Sequence, residues 1–223
     1  MEGSWDHLYT GEEVSEQGDR YNADYFLRGQ ELGISGYTNY RYLPDLTIPM
    51  VVSMIRHLGI GPNDTILDFG CARGYAVRAF REMGYNAWGY DISQWALENA
   101  DEKAKEYLIC NDSTLLSNSF DWVIAKDVLE HISDVAYTIS SLLKVARVGV
   151  FAVVPLGDDG NYYVEEYDKD VTHIHRLPIW RWARYFVLPG WSVEMCYRVR
   201  GIKDNYSRFR VGNGFLTARR IQE

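Results

Sequence analysis

Leu67-Asp68-Phe69-Gly70-Cys71-Ala72-Arg73-Gly74 is the stretch on which the fold turns. Before it runs a short apolar segment, residues 65–69, of strand character. After it come residues 75–83, where Ala76, Ala79, Phe80 and Met83 share one helical face and Gly84 stops the helix. Strand, glycine turn and helix make one βα unit, and the pattern repeats outward. On the amino side, Thr47 caps a helix that starts at Pro49 and buries Met50, Val51, Met54, Ile55 and Leu58. On the carboxyl side, residues 87–90, 107–110, 122–125 and 148–154 read as strands. A helix starts near Gln94, and another, capped by Ser133 or Asp134, buries Val135, Ile139, Leu142, Leu143 and Ala146. Strands alternating with helices predict an α/β fold, a doubly wound, mostly parallel sheet with helices on both faces. Beyond residue 156 the texture turns aromatic after a loop, Gly157-Asp158-Asp159-Gly160-Asn161. A helix within 177–188 and an antiparallel strand pair, 191–199 and 209–219, are expected there.

The glycine turn lies at the carboxyl edge of the sheet, where such sheets bind ligands. Gly70 and Gly74 permit close backbone approach, but the G-x-G-x-x-G dinucleotide pattern fails at Ala72 and Tyr75, and no P-loop is present. Asp68 would repel a pyrophosphate and suits an ammonium. Asp91, at the end of the second strand, is placed to accept ribose hydroxyls, and Asp112 to accept from a base amine. Ammonium, ribose and adenine without a phosphate site describe S-adenosylmethionine.

With residues 89–93 (Gly-Tyr-Asp-Ile-Ser), 120–124 (Phe-Asp-Trp-Val-Ile) and 127–131 (Asp-Val-Leu-Glu-His), this turn resembles the class I S-adenosylmethionine-dependent methyltransferases over residues 49–155. The family usually has glycine where this chain has Ala72. The resemblance implies a Rossmann-like, seven-stranded sheet whose last strand is antiparallel. It implies that Asp68, Gly70, Cys71, Ala72 and Gly74 hold the amino-acid part of the cofactor. Asp91 and Ile92 would lie at the ribose, Asp112 and Ser113 at the adenine, and the Lys126 backbone at the methionine moiety.

Methyl transfer from a sulfonium is an alignment problem, and a hydroxyl acceptor also needs a base. His173 and His175, after the fifth strand in Asp170-Val171-Thr172-His173-Ile174-His175, are the candidate catalytic residues. The Asp-x-Thr-His pattern resembles family members acting on sugars, lipids or other small hydroxylated substrates. If extended, the segment points both rings the same way, one as base and one positioning substrate. Asp127, Glu130 and His131 have i, i+3, i+4 spacing and with either histidine offer ligands for a divalent cation. The Val-Leu-Glu-His run is equally compatible with a metal-free site, and no metal is assigned.

Residues 1–48 form a tyrosine-rich leading segment before the methyltransferase domain of residues 49–223. Two readings of it stand side by side: a lid whose tyrosines line the site and whose Arg41 reaches the cofactor carboxylate, or an aromatic cluster on the sheet edge. Trp180, Trp182, Tyr185 and Phe186 read as core or substrate wall rather than a base-stacking stripe, and Lys203-Asp204-Asn205 as a solvated loop.

Twenty-three Lys and Arg against 31 Asp and Glu leave a net charge of −8 over 223 residues. That balance argues against nonspecific binding to nucleic-acid backbone without excluding a specific RNA. Cys71, Cys110 and Cys196 are too few and too far apart for a disulfide framework or zinc site and read as buried thiols. No apolar run reaches transmembrane length. The first 20 residues hold six acids and one base, unlike a signal peptide, so a cytoplasmic protein is expected. The expectation is an S-adenosylmethionine-dependent methyltransferase acting on a hydroxyl of a small-molecule or saccharide-like acceptor. The alternatives are an N- or RNA-methyltransferase of the same fold and a non-catalytic cofactor-binding protein. The terminal strand pair could serve a homodimer.

Overall fold

The computed structural model describes residues 17–110, 120–158, 160–203 and 211–221. Asp112 and Ser113 lie outside the described residues, as do Asp204, Asn205 and the expected start of the last strand at Phe209. A seven-stranded sheet runs in the order β3-β2-β1-β4-β5-β9-β8. Its strands are β1 (Thr65–Phe69), β2 (Asn86–Asp91), β3 (Leu108–Cys110), β4 (Phe120–Lys126), β5 (Ala146–Pro155), β8 (Trp191–Cys196) and β9 (Asn213–Arg220). The first five strands pair in parallel, and β9 inserts antiparallel between β5 and β8. The expected loop after β5 is instead a small hairpin of β6 (Gly157–Asp158) and β7 (Asn161–Tyr162).

The two-residue period of each strand splits the core into two layers. Ile66, Trp122, Ile124, Phe151, Val153 and Phe215 face one side, under helices α3 (Pro44–Leu58) and α4 (Tyr75–Glu82). Leu67, Val123, Val150, Ala152, Val154 and Leu216 face the other, under α6 (Val135–Val145) and α7 (Ile179–Tyr185). Trp182 is fully buried there while Trp180 is exposed, so the aromatic stripe of α7 is chiefly core. Asp134 caps α6 by accepting from Tyr137 N. A short α5 (Gln94–Glu98) follows β2, capped by Ser93. No helix among the described residues is long and apolar enough to cross a membrane.

Ahead of this frame, α1 (Ala23–Leu27) and α2 (Gly29–Leu32) contribute to a third cluster. Tyr25, Phe26 and Ala96 form its centre, with Tyr21, Tyr37, Tyr40, Ala72 and Trp95 around it. The leading segment therefore packs on the carboxyl edge of the sheet, against the glycine turn.

The start of α3 differs from the sequence expectation. The helix begins at Pro44, not at Pro49 behind a Thr47 cap, because Pro44 fits the first helical position equally well and Asp45 favours the first turn. Pro49 thus lies inside the helix, where it removes one hydrogen bond, and it is exposed, so its ring gains little packing. Replacing Pro49 by Ala should raise the unfolding free energy by on the order of 1–2 kcal/mol. A higher urea midpoint at unchanged slope would show it; an unchanged or lower midpoint would contradict it.

Candidate active site

The parallel register brings the ends of β1, β2 and β4 to one edge, with Asp68 opposite Gly89 and Ile124. The turn after β1 is held by the neighbouring strand. Gly70 N and Cys71 N donate to Tyr90 O at 2.8 and 3.1 Å, and Ala72 N donates to Asp91 Oδ2 at 2.6 Å. Gly70 has φ +78°, and a Cβ there would lie 2.5 Å from Val128 Cγ2, so only glycine fits. Ala72, where the family usually has glycine, adopts φ +48°. The bond to Asp91 holds it in that left-handed conformation.

Asp91 also accepts from Ser93 N at 2.8 Å. Its two oxygens keep further lone pairs for hydroxyl donors. Burial pushes its pKa up, against bonds from the backbone of Ser93, Ala72 and Ile92. Asp68 is buried, and its carboxylate makes no hydrogen bond among the described residues. Burial raises its pKa to about 7, with a further push from Asp91 and a pull downward from Lys126. A desolvated, unpartnered carboxylate beside a backbone cradle fits an ammonium, and a buried carboxylate at the end of β2 fits a ribose. The residues present therefore fit S-adenosylmethionine.

The acceptor side is built by β4 and the segment after the β6–β7 hairpin. Asp127, with φ +55°, turns its carboxylate to Lys126 Nζ at 2.5 Å and to Lys203 Nζ. Burial opposes its ionisation, but the two ammonium groups hold Asp127 below the usual carboxylate range. Lys203 is therefore not part of a solvated loop. Asp127 also departs from the i, i+3, i+4 face expected for it, because its backbone is left-handed and the single turn 129–131 starts after it.

His173 joins Glu130 and His131 instead. One ligand-type atom from each of the three lies within 4.8 Å of the others, an arrangement that could hold a metal ion. His173 Nδ1 donates to Tyr167 O at 2.8 Å, and its Nε2 stands 3.9 Å from Glu130 Oε1 and from Asp170 Oδ2. Burial lowers the pKa of His173 and, more strongly, of His131. Glu130 is 1% exposed and its Oε2 has no partner among the described residues. Burial and the neighbouring Asp127 push its pKa well up. His175 does not join the cluster. A turn closed by His173 N to Asp170 O replaces the extended segment, and His175 Nε2 donates to Ile132 O at 2.7 Å with its ring against Trp182. It pins the loop rather than facing the site.

The leading segment reaches both halves. Ser93 Oγ donates to Tyr21 O, Arg73 Nη1 to Tyr40 O, and Tyr25 OH to Asp170 Oδ2 at 2.7 Å. Arg73 and Arg78 meet this segment, the latter with its guanidinium over the Tyr42 ring, whereas Arg41 is exposed. Asp170 and Lys203 were not singled out as site residues from sequence; the Asp-x-Thr-His pattern signalled the first, and the tyrosine-rich leading segment signalled Tyr25.

Residues 53–191 match the profile of a methyltransferase domain. The chain is 30% identical over 124 residues to phosphoethanolamine N-methyltransferase 2 of Caenorhabditis elegans, covering 51% of this chain and 28% of that protein. It is 31% identical over 96 residues to the ubiquinone biosynthesis O-methyltransferase of Rickettsia canadensis (strain McKiel), covering 40% and 41%. The chain thus spans less than half the length of either relative. Among solved structures, magnesium protoporphyrin IX methyltransferase from Synechocystis with bound cofactor superposes with TM-score 0.58 at 20% identity over 93% of this chain and 97% of that one. The [4+2]-cyclase SpnF superposes at 0.65 with 15% identity, covering 94% and 97%. The fold alone therefore does not fix the reaction.

If the cofactor ammonium binds ionised Asp68, affinity for S-adenosylhomocysteine should rise as pH climbs through about 7 and level off above it. Below that point the loss should be at most about tenfold per pH unit. Calorimetric titration from pH 5.5 to 8 would show it. A profile as steep in Asp68→Asn as in the wild type would remove Asp68 as the cause.

Proposed function

We propose a methyl acceptor for this chain, which belongs to the class I S-adenosylmethionine-dependent methyltransferases: a hydroxyl of a small polar molecule. His173 carries the reading. Its Nδ1–H is committed to a backbone carbonyl, which can only accept, so Nε2 keeps its lone pair. Burial keeps the ring neutral at physiological pH.

Bound S-adenosylmethionine would supply an electrophilic methyl group on a sulfonium, with S-adenosylhomocysteine as the leaving group. His173 Nε2 takes the proton that the acceptor hydroxyl gives up on methylation. Glu130 Oε1 and Asp170 Oδ2, each 3.9 Å from Nε2, stabilise the imidazolium so formed. Asp68, the 70–74 turn and Asp91 hold the cofactor. Residues 17–48 act as a cap that excludes water from the cleft, anchored through Tyr21, Tyr25 and Tyr40.

A second reading is methylation of an amine. The nematode relative is named for a nitrogen acceptor, and Glu130 offers an unpartnered carboxylate that could hold an ammonium.

Replacing His173 by Ala should cut S-adenosylhomocysteine production at least about 100-fold with cofactor affinity kept. Turnover at the wild-type rate on a hydroxyl acceptor would refute the role, and turnover confined to amines would favour the second reading. Removing residues 1–43 should weaken cofactor binding and lower turnover together; a truncated protein unchanged in both would end the cap assignment.

A further inference from the structure

Two imidazole acceptors stand beside a buried carboxyl group, Glu130, whose Oε2 has no partner among the described residues and whose raised pKa favours the protonated form. One is His173 Nε2, whose lone pair is fixed as above. The other is His131 Nε2. Thr172 has a single hydroxyl proton and donates it to Asp170 Oδ1 at 2.5 Å. His131 Nδ1, 2.8 Å from the same oxygen, must therefore be the donor of that bond. The tautomer of His131 is thus set from Asp170 through Thr172, and Nε2 is left as an acceptor. The two rings meet at 60° with centroids 4.6 Å apart.

Acceptors cannot satisfy one another, so the cluster calls for a ligand that brings donors. A divalent cation suits the atom types. However, Lys126 and Lys203 already stand on Asp127, and both act on Glu130 as positive charges. A second cation would be placed against them; a neutral donor would not. Hydroxyls on adjacent carbons stand about one hydrogen-bond length (~2.8 Å) apart. That spacing lets neighbouring hydroxyls face two rings whose centroids lie 4.6 Å apart.

We propose that His131 and His173 receive two neighbouring hydroxyls of the acceptor, so that the substrate class is a vicinal diol. His173 serves the hydroxyl that is methylated, and His131 Nε2 accepts from the one beside it. Thr172 and Asp170 are positioning residues for His131. The inference rests on the oxygen-acceptor reading and adds a specificity determinant to it.

The test compares the untruncated chain, treated with chelator, on catechol and phenol and on cis-1,2-cyclohexanediol and cyclohexanol, reading S-adenosylhomocysteine formed. The diols should show KM values at least tenfold below their single-hydroxyl counterparts. His131→Phe should erase that preference by raising KM for the diols alone. Thr172→Val, which leaves Nε2 in place, should raise diol KM by less while S-adenosylhomocysteine affinity stays unchanged. Equal KM for diols and single alcohols in the wild type would overturn the inference and leave the oxygen reading intact. So would a uniform effect of His131→Phe on both. Activity lost to the chelator and restored by zinc or manganese would overturn it in favour of an ion. No turnover of any alcohol by a protein that binds S-adenosylhomocysteine would instead sink the oxygen reading itself.

Discussion

Asp91 accepts the backbone N–H groups of Ala72 and Ser93, and through those two bonds it shapes most of the cofactor edge. The first bond fixes the turn after β1. The second places Ser93, whose hydroxyl accepts from Ala96 N to cap α5 and donates to Tyr21 O. A buried carboxylate is costly unless it is hydrogen-bonded. Here the bonds that offset the cost are made by the segments the site needs in place, so satisfying the charge and assembling the pocket are one event.

The two ends of the sheet treat the same residue type in opposite ways. At the amino edge, Asp121 accepts from Thr65 N, Thr65 Oγ1 and Arg147, and these bonds hold its pKa below the usual value against burial. At the carboxyl edge of β1, Asp68 is buried without such partners and is pushed the other way. Polar satisfaction ties β1, β4 and β5 together at one end. Withheld satisfaction at the other leaves electrostatic free energy to be released when a positively charged group arrives.

Much of this was legible in the sequence because it is local. Strand ends, glycine turns and the Asp134 cap depend on a few consecutive residues, and so do the positions of Asp68 and Asp91 at the ends of β1 and β2. What was misread depended on distant contacts or on competition between equivalent signals. Pro44 and Pro49 both satisfy the rule for a helix start, and only packing chooses between them. Lys203 looked solvated because its partner Asp127 is far away in sequence. His173 and His175 look alike in an extended segment, yet the turn at Asp170 sends one to Glu130 and the other to Ile132. The adenine side, residues 112 and 113, stays a sequence expectation.

Cys71 sits in the middle of the cofactor turn with its thiol wedged under Gly89, where an added Cβ would lie 2.7 Å from its sulfur. The residue is 5% exposed, and burial drives the thiol pKa well above the ordinary value. Only the thiolate reacts with alkylating reagents. Cys71 is therefore silent while the turn is closed and reactive only when the turn opens. The rate at which an electrophile reaches this sulfur is a clock for loop opening, carried by the native chain without any label.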